Sequence, residues 1–415
     1  MKVVLLTIGS RGDIEPFIEV GHLLEKNGHE VFYGIPEQYL SLLSTSENIY
    51  SLGPEFMNLI NSSLGKNVMG RYGNLLQMIK WKYKLYKEGF KMSDLMTLRQ
   101  KQLLEEIQPD LVIFHPKCLY PFFKQPAPFK KLVLSPVPYV IHAAQEQPHL
   151  GFKRTNIAWW NKFSYTLANK GLMVFLKRAA KKTGNPKPTS KNLDDILKNT
   201  KCVFTVSPSL VPQSKDWPQH VKVLGFRDQK NSAVNNVDAA TIEFFKRHQK
   251  VLVVSFGSMT NSNPKKITET IVEVLKVKSI PAIINIAGGG LTALTAYKND
   301  PSILFTQQLN YSWVFDKAYA VIHHGGSGTT HNSLKYGCAT LILPHIVDQF
   351  MWNEINFTQG SGPKGISINK INKENLNKLI TDLWQNESYK INAERLGKIM
   401  KNENLDEQLI AFINN

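Results

Sequence analysis

Two short stretches hold the residue types needed for chemistry at a hydroxyl and at a phosphate. The first is Gly9-Ser10-Arg11-Gly12-Asp13, which places a hydroxyl, a guanidinium and a carboxylate close together after an apolar run. A carboxylate beside a bound substrate can accept a proton from a hydroxyl. The same Asp near a helix start serves equally well as a cap. The second stretch is His323-His324-Gly325-Gly326-Ser327-Gly328-Thr329-Thr330. A glycine-rich turn ahead of a helix leaves backbone N–H groups and the positive helix end free to hold phosphate. His324 and Thr329 would add side-chain donors there. The stretch is not a Walker A loop, because the lysine of GK[ST] is missing, and it is not GxGxxG either. His323 and His324 are adjacent, so they do not share one face, and no His/Asp/Glu spacing suits zinc. No metal is expected.

The elements that must position these stretches read as strand, loop and helix. Val3 to Ile8 is a continuous apolar run, as in a parallel strand covered on both faces. Phe17, Val20, Leu23 and Leu24 recur at helical spacing, Gly28 ends that helix, and Glu30 to Tyr33 starts the next strand. Further strands are predicted at 111–114, 131–134 and 202–206. A second series begins at 251–256, followed by Gly257-Ser258 and a helix around 267–277, with strands at 282–286, 303–305, 320–322 and 340–343. Such alternation argues a doubly wound α/β architecture in two halves. Between them, residues from Gly225 to about Lys250 are polar and lead into a short helix, 239–247.

Composition narrows the function classes. The chain has 415 residues, a length of two domains or perhaps a third, and 42% hydrophobic residues, which is globular rather than disordered. Cys118, Cys202 and Cys338 are far apart and lack any CxxC spacing, which argues against a disulfide framework and fits a reducing cytoplasm. No run approaches the ~18–20 apolar residues of a membrane span. The first apolar run is too short for a signal peptide and is followed at once by Arg11, Asp13 and Glu15. The net charge of +17 is what nucleic-acid binders and membrane-surface proteins carry. The basic residues are nevertheless scattered, without the block or motif of a nucleic-acid module, so a solvated lysine-rich surface and a membrane role both fit.

With these residues in view, the chain resembles the GT-B nucleotide-sugar glycosyltransferases of the family 1 type. The closest resemblance is to sterol glucosyltransferases and to the enzymes that glycosylate glycopeptide and macrolide antibiotics. Gly9 to Asp13, with Pro16 and Gly28-His29, resembles their amino-terminal signature. His323 to Thr330, with Gly337, Pro344 and Asp348-Gln349, resembles the donor-binding signature. Asp216-Trp217-Pro218, Val223 to Phe226 and Ser255 to Met259 match the segments leading into and opening the second domain. The resemblance implies two doubly wound Rossmann-like domains facing each other across a cleft. The domains would be an acceptor domain (1–226), a linker (227–249) and a donor domain (250–415), whose last helix crosses back to the first.

By the same resemblance, Asp13 is the general base, and Ser10 and Arg11 lie by the donor diphosphate or the acceptor. Gly257, Ser258, His324, Gly326, Ser327, Gly328 and Thr329 hold the diphosphate. Asp348 and Gln349 bond the sugar hydroxyls, and Trp313 lines the nucleotide. The implied reaction is inverting and metal-free, with no cofactor. It moves a hexose from a UDP-sugar, glucose by default, to a lipophilic hydroxyl compound such as a sterol, terpenoid, polyketide or flavonoid. Two departures bear on the donor. Asn310-Tyr311-Ser312-Trp313 replaces the usual Pro-His-Asp-Trp, and Asn332 stands where plant-type relatives place a ribose-binding Glu. UDP-GlcNAc, UDP-galactose and a dTDP-sugar therefore stay open. The alternatives are a non-transferring enzyme such as a nucleotide-sugar epimerase, a non-catalytic nucleotide-sugar or lipid binder and, on charge alone, a nucleic-acid binder. The implied partners are a nucleotide sugar and a lipophilic acceptor, without nucleic acid, in a cytoplasmic monomer or dimer.

The stretch from about Phe56 to Lys101 lies outside the resemblance. It reads as helical, with Lys80, Lys84, Lys87 and Lys91 on one face and Trp81, Tyr83, Tyr86 and Phe90 among them. A solvated face beside core aromatics and a contact with an anionic membrane both follow from that pattern. His115, His142 and His149 are expected to be structural or on the surface. Of Met57, Met69, Met78, Met92 and Met96, most are expected in the core.

Overall fold

A computed structural model of the chain describes residues 1–43, 48–69, 75–124, 126–227, 237–261 and 263–414. The side chains of Asn61, Lys66, Asn67, Met69, Leu75, Leu76 and Met78 lie outside the description, as do residues 228–236 of the expected linker. The chain forms two compact units, one of residues 1–68, 73–229 and 404–415, the other built on 230–403.

The first unit is built on a seven-stranded sheet. Its strands are β1 (Lys2–Leu6), β2 (Glu30–Ile35), β3 (Ile49–Ser51), β4 (Leu111–Phe114), β5 (Lys130–Ser135), β6 (Lys201–Phe204) and β7 (Val221–Val223). All neighbours pair in parallel, in the order β3-β2-β1-β4-β5-β6-β7. Val3, Val4, Leu5 and Leu6 of β1 are all buried, because a central parallel strand is covered on both faces. Helix Arg11–Lys26 lays Ile14, Phe17, Ile18, Val20 and Leu24 on the sheet. The edge strands β3 and β7, three residues each, are too short to register as a hydrophobic pattern and lie outside the sequence reading.

The second unit carries β8 (Leu252–Ser255), β9 (Ala282–Asn285), β10 (Ile303–Thr306), β11 (Ala320–His323) and β12 (Ala339–Ile342). They too are parallel, in the order β10-β9-β8-β11-β12. In both sheets the strand order reverses beside the first strand, between β1 and β4 and between β8 and β11. A crevice opens beyond the carboxyl ends of the strands at such a switch point, and ligands of doubly wound sheets bind there.

Helix Asp406–Asn414 belongs to the first unit. Its Leu409 and Ile413 join the core around Val3 and Phe17, Asp406 pairs with Arg227, and Lys201 Nζ donates to Phe412 O at 2.9 Å. The helical stretch after Phe56 forms Glu55–Asn61, Ser63–Met69 and the 33-residue helix Leu75–Ile107. The short helix after the linker spans Ala239–Arg247, capped by Asp238, whose Oδ1 accepts from Thr241 N–H at 2.7 Å. All three cysteines are buried and free. Among the described residues no helix is long and apolar enough to cross a membrane.

Candidate active site

The loop after β1 brings Asp13 to the first switch point, and the loop after β4 brings His115 and Lys117 to the same place. Asp13 is the third residue of helix Arg11–Lys26, with Ser10 as its N-cap. Asp13 Oδ2 accepts from Ser10 N–H at 2.8 Å and from Ser10 Oγ at 3.2 Å. One oxygen therefore caps the helix, and the other faces the loop after β4. That oxygen, Oδ1, lies 3.2 Å from His115 Nε2 and 3.1 Å from Lys117 Nζ. The Gly9 backbone packs against the carboxylate, so closely that a Cβ there would stand 2.0 Å from Oδ2. No residue but glycine leaves room for it.

Burial alone would raise the proton affinity of Asp13. The Lys117 ammonium and then the His115 hydrogen bond outweigh it and hold the carboxyl well below the usual carboxylate range. His115 is itself lowered, first by burial and then by Lys117, so it is a neutral imidazole near pH 7. Its Nδ1 accepts the Lys117 backbone N–H at 3.0 Å, which leaves the ring proton on Nε2, aimed at Asp13. His115 was expected to be structural. It is buried as such a residue would be, but it touches the carboxylate.

Around this group lie Tyr39, Phe56 and Met57. The Phe56 ring lies 5.5 Å from Lys117 Nζ, and Tyr39 OH reaches Met57 Sδ at 3.8 Å. Phe56 is positioned by its neighbour. Glu55 makes a two-pronged pair with Arg99 of the long helix, at 2.6 and 2.8 Å, and Arg99 also donates to Leu52 O. Sequence reasoning passed over His115, Lys117, Tyr39 and Phe56 as site residues. The signal for the first two was present, since His115-Pro116-Lys117 directly follows a predicted strand. That strand lies a hundred residues from Asp13 in sequence, and only the sheet order makes the two neighbours.

In the second unit the loops after β8 and β11 converge in the same way. Helix Ser327–Lys335 starts at the N-cap Gly326, so the first-turn N–H groups of Ser327, Gly328 and Thr329 point out of the helix end. His323 and His324 turn apart, their rings inclined by 81°. His323 is buried and accepts the Gly325 N–H at 2.9 Å, which secures the turn. His324 faces the loops instead. A Cβ on Gly326 would stand 2.4 Å from its Nε2, and one on Gly257 would stand 3.0 Å from its Cε1. Burial, followed by His323 and His345, lowers His324 well below the ordinary histidine value, so it offers a neutral N–H. The Gly257 turn is held from beneath by Ser255 Oγ, which lies 2.9 Å from Tyr311 OH and 3.2 Å from Asn285 Nδ2. Among the described residues no group of three His, Cys, Asp or Glu is arranged to hold a metal.

Known proteins share this fold. The chain aligns over its whole length with the glycotransferase of kitacinnamycin, covering 98% of that chain at a TM-score of 0.71 and 15% identity. It aligns likewise with glycosyltransferase VinC, solved in complex with dTDP, covering 99% at a TM-score of 0.67 and 14% identity. The fold is GT-B. Residues 280–409 match the family described as the erythromycin biosynthesis protein CIII-like C-terminal domain. Among curated relatives, a sterol 3-beta-glucosyltransferase of Arabidopsis thaliana is 27% identical over 97% of this chain and 63% of its own length. One of Komagataella phaffii is 26% identical over 97% of this chain and 33% of its own length. The chain thus spans less than two thirds of the length of these curated relatives.

The remaining expected residues of the GT-B chain fall in different settings. Ser258 is exposed at the tip of the Gly257 turn, and Thr329 is buried in the first turn of its helix. Asp348 is half-buried in the first turn of helix Val347–Thr358. Gln349 beside it is buried, and its Oε1 accepts from His345 N–H at 2.7 Å and Ile346 N–H at 3.0 Å. What Gln349 can still offer a ligand is its amide N–H. Trp313 sits in helix Tyr311–Lys317, edge-on to Phe245 with ring centroids 5.6 Å apart. Arg11 is exposed and pairs with Glu15. His142 and His149 make backbone and ring contacts away from Asp13, His142 beside His220 and His149 against Tyr165. Met96 is buried and Met57 and Met92 are half-buried, while the side chains of Met69 and Met78 lie outside the described residues.

Proposed function

We propose that this chain is a UDP-sugar-dependent glycosyltransferase that moves a hexose, with inversion, onto the hydroxyl of a lipophilic acceptor. The carrying observation is the Asp13 carboxylate, placed with its own donors at the first switch point and one oxygen turned away from the cap. A protein that only bound nucleotide sugar would have no use for a base, and a non-transferring enzyme would not need one on the acceptor side. The sterol 3-beta-glucosyltransferases among its relatives favour glucose as the sugar and a sterol as the acceptor.

The chemistry follows from the two sites. The acceptor oxygen forms a bond to the anomeric carbon, its proton passes to Asp13, and the bond from that carbon to the β-phosphate oxygen breaks to release UDP. A carboxylate with so low a proton affinity cannot strip an alcohol in advance. It accepts the proton as the C–O bond forms and the oxygen turns acidic. Negative charge grows on the departing diphosphate at the same moment. First-turn N–H groups of helix Ser327–Lys335, the His324 ring and the Ser327 and Thr329 hydroxyls would meet that charge without a metal. Asp348 and the Gln349 amide would bond the sugar.

The same reading includes peripheral contact with an anionic bilayer. Tyr83 is 60% exposed, and Ile79 and Tyr86 also face solvent beside Lys80, Lys84, Lys87 and Lys91. Aromatic side chains outside the core among lysines suit the headgroup boundary, where a lipophilic acceptor would reside.

The deciding test compares Asp13→Ala and Asp13→Asn with the parent chain, using UDP-glucose and a 3β-hydroxysterol in mixed micelles. Both should lose turnover by about 10²–10⁴-fold, with UDP binding intact by calorimetry. Equal loss of binding and turnover in both would reduce Asp13 to a helix cap.

A further inference from the structure

The Asp13 carboxylate has no open side. A carboxylate offers about four acceptor directions, and here Ser10 N–H and Ser10 Oγ take two at Oδ2, while His115 Nε2 and Lys117 Nζ take two at Oδ1. An acceptor hydroxyl that is to give Asp13 its proton must therefore displace one of these donors. Ser10 N–H belongs to the helix start. The Oδ2 side is also flanked by the Gly9 backbone, so close that a Cβ there would lie 2.0 Å from Oδ2. His115 is only 5% exposed, and its ring is pinned through Nδ1. Lys117 is different. Its side chain is 42% exposed, its stem is flexible, and beside its ammonium lies the face of Phe56.

We propose that Lys117 is a displaceable counter-ion, seated on Asp13 Oδ1 where the acceptor hydroxyl must come to sit. The proposal rests on Asp13 being the base. With Lys117 in place, the carboxylate is neutralised and occupied, and water is a poor competitor. Water brings no apolar binding to offset the broken ion pair. A lipophilic acceptor does, because burial of its apolar body drives the exchange that uncovers the base. Lys117 thereby protects the nucleotide sugar from hydrolysis. In that side reaction a water O–H would give its proton to Asp13 while the water oxygen replaced UDP at the anomeric carbon. Lys117 is a positioning residue, since it acts through Asp13 and not on the reacting atoms.

The test uses the full chain with UDP-glucose, with and without a 3β-hydroxysterol, and compares the parent with Lys117→Met, Lys117→Gln, Lys117→Arg and Asp13→Asn. Lys117→Met and Lys117→Gln should raise acceptor-free hydrolysis of UDP-glucose about tenfold relative to transfer. They should also move the acid limb of kcat/KM up by about one to three pH units, as expected when a cation beside an Asp is removed. Lys117→Arg should retain parental behaviour. Folded Lys117→Met and Lys117→Gln proteins with an unmoved hydrolysis ratio and acid limb overturn the proposal, as does loss of both activities with UDP binding intact. Asp13→Asn separates the two ideas. Full turnover in Asp13→Asn removes the base and the lock together. A dead Asp13→Asn beside parental Lys117 variants removes the lock alone.

Discussion

His115 donates from Nε2 to Asp13 Oδ1 across 3.2 Å, while its Nδ1 is held by the backbone N–H of Lys117. The tautomer is set by a main-chain group, so the imidazole works as a donor and the carboxylate as the acceptor. His115→Phe keeps a planar ring and removes the donor. It should lower kcat about tenfold to a hundredfold, the worth of one hydrogen bond to a charged group, with UDP affinity unchanged. Steady-state kinetics paired with calorimetry checks this, and an unaltered kcat would make His115 a packing residue.

Gly326→Ala tests the second unit. The added Cβ would lie 2.4 Å from His324 Nε2, so the imidazole must swing away from the glycine-rich turn. UDP should bind about tenfold more weakly, a change of about 1.4 kcal/mol, while the first unit's melting behaviour stays as it was. Unchanged UDP affinity in a folded Gly326→Ala protein would take His324 out of the donor site.

Acid should destabilise the second unit well before carboxylates titrate. Burial pushes His323 down to about 3, and His331 and His345 down to about 4. In the unfolded chain these imidazoles take up protons near 6.5. The unfolded state therefore binds more protons below that value, and stability is lost as pH falls from about 6.5 toward about 4. The slope approaches about 1.4 kcal/mol per pH unit for each histidine. Asp13 adds its own loss only at lower pH, since its folded value is depressed below that of a free carboxylate. Calorimetric melts at pH 7, 6 and 5 should show a falling Tm. His323→Asn, which keeps an acceptor for Gly325 N–H, should show a shallower fall.

The exposed aromatic and lysine face predicts salt-sensitive adsorption to vesicles containing phosphatidylserine and none to pure phosphatidylcholine. Changing Lys80, Lys84, Lys87 and Lys91 to Gln removes four positive charges and should cost about 1 kcal/mol of binding for each lysine near the surface. Tyr83→Ala should weaken adsorption with less effect on its salt dependence. Equal binding to both lipids would assign the face to ordinary solvation.

How much of this was legible beforehand depends on the range of the contacts involved. Continuous apolar runs such as Val3 to Leu6 and Val251 to Val254 announce buried parallel strands, because burial on both faces is written locally into residue type. Gly9 to Asp13 and Gly325 to Thr329 announce loops entering helices for the same reason. Turn geometry and N-caps involve neighbours only a few residues away. Ser10 and Asp13 were therefore placed together by the sequence itself. The capping role of Asp13 was visible in its position three residues after a serine.

The tertiary structure decided what surrounds that carboxylate. The order β3-β2-β1-β4 sets the loop after Phe114 beside the loop after Leu6, and so brings His115 and Lys117 to Asp13 across about a hundred residues. No local periodicity encodes sheet order, which follows from how helices and strands bury their apolar faces together. For the same reason the exposure of Tyr83 and Trp159, and the commitment of Gln349 Oε1 to its own helix start, became visible only in the folded chain. Residue types supplied the Asp13 carboxylate and the glycine-rich turn, and packing chose the neighbours that set the proton affinity of that carboxylate.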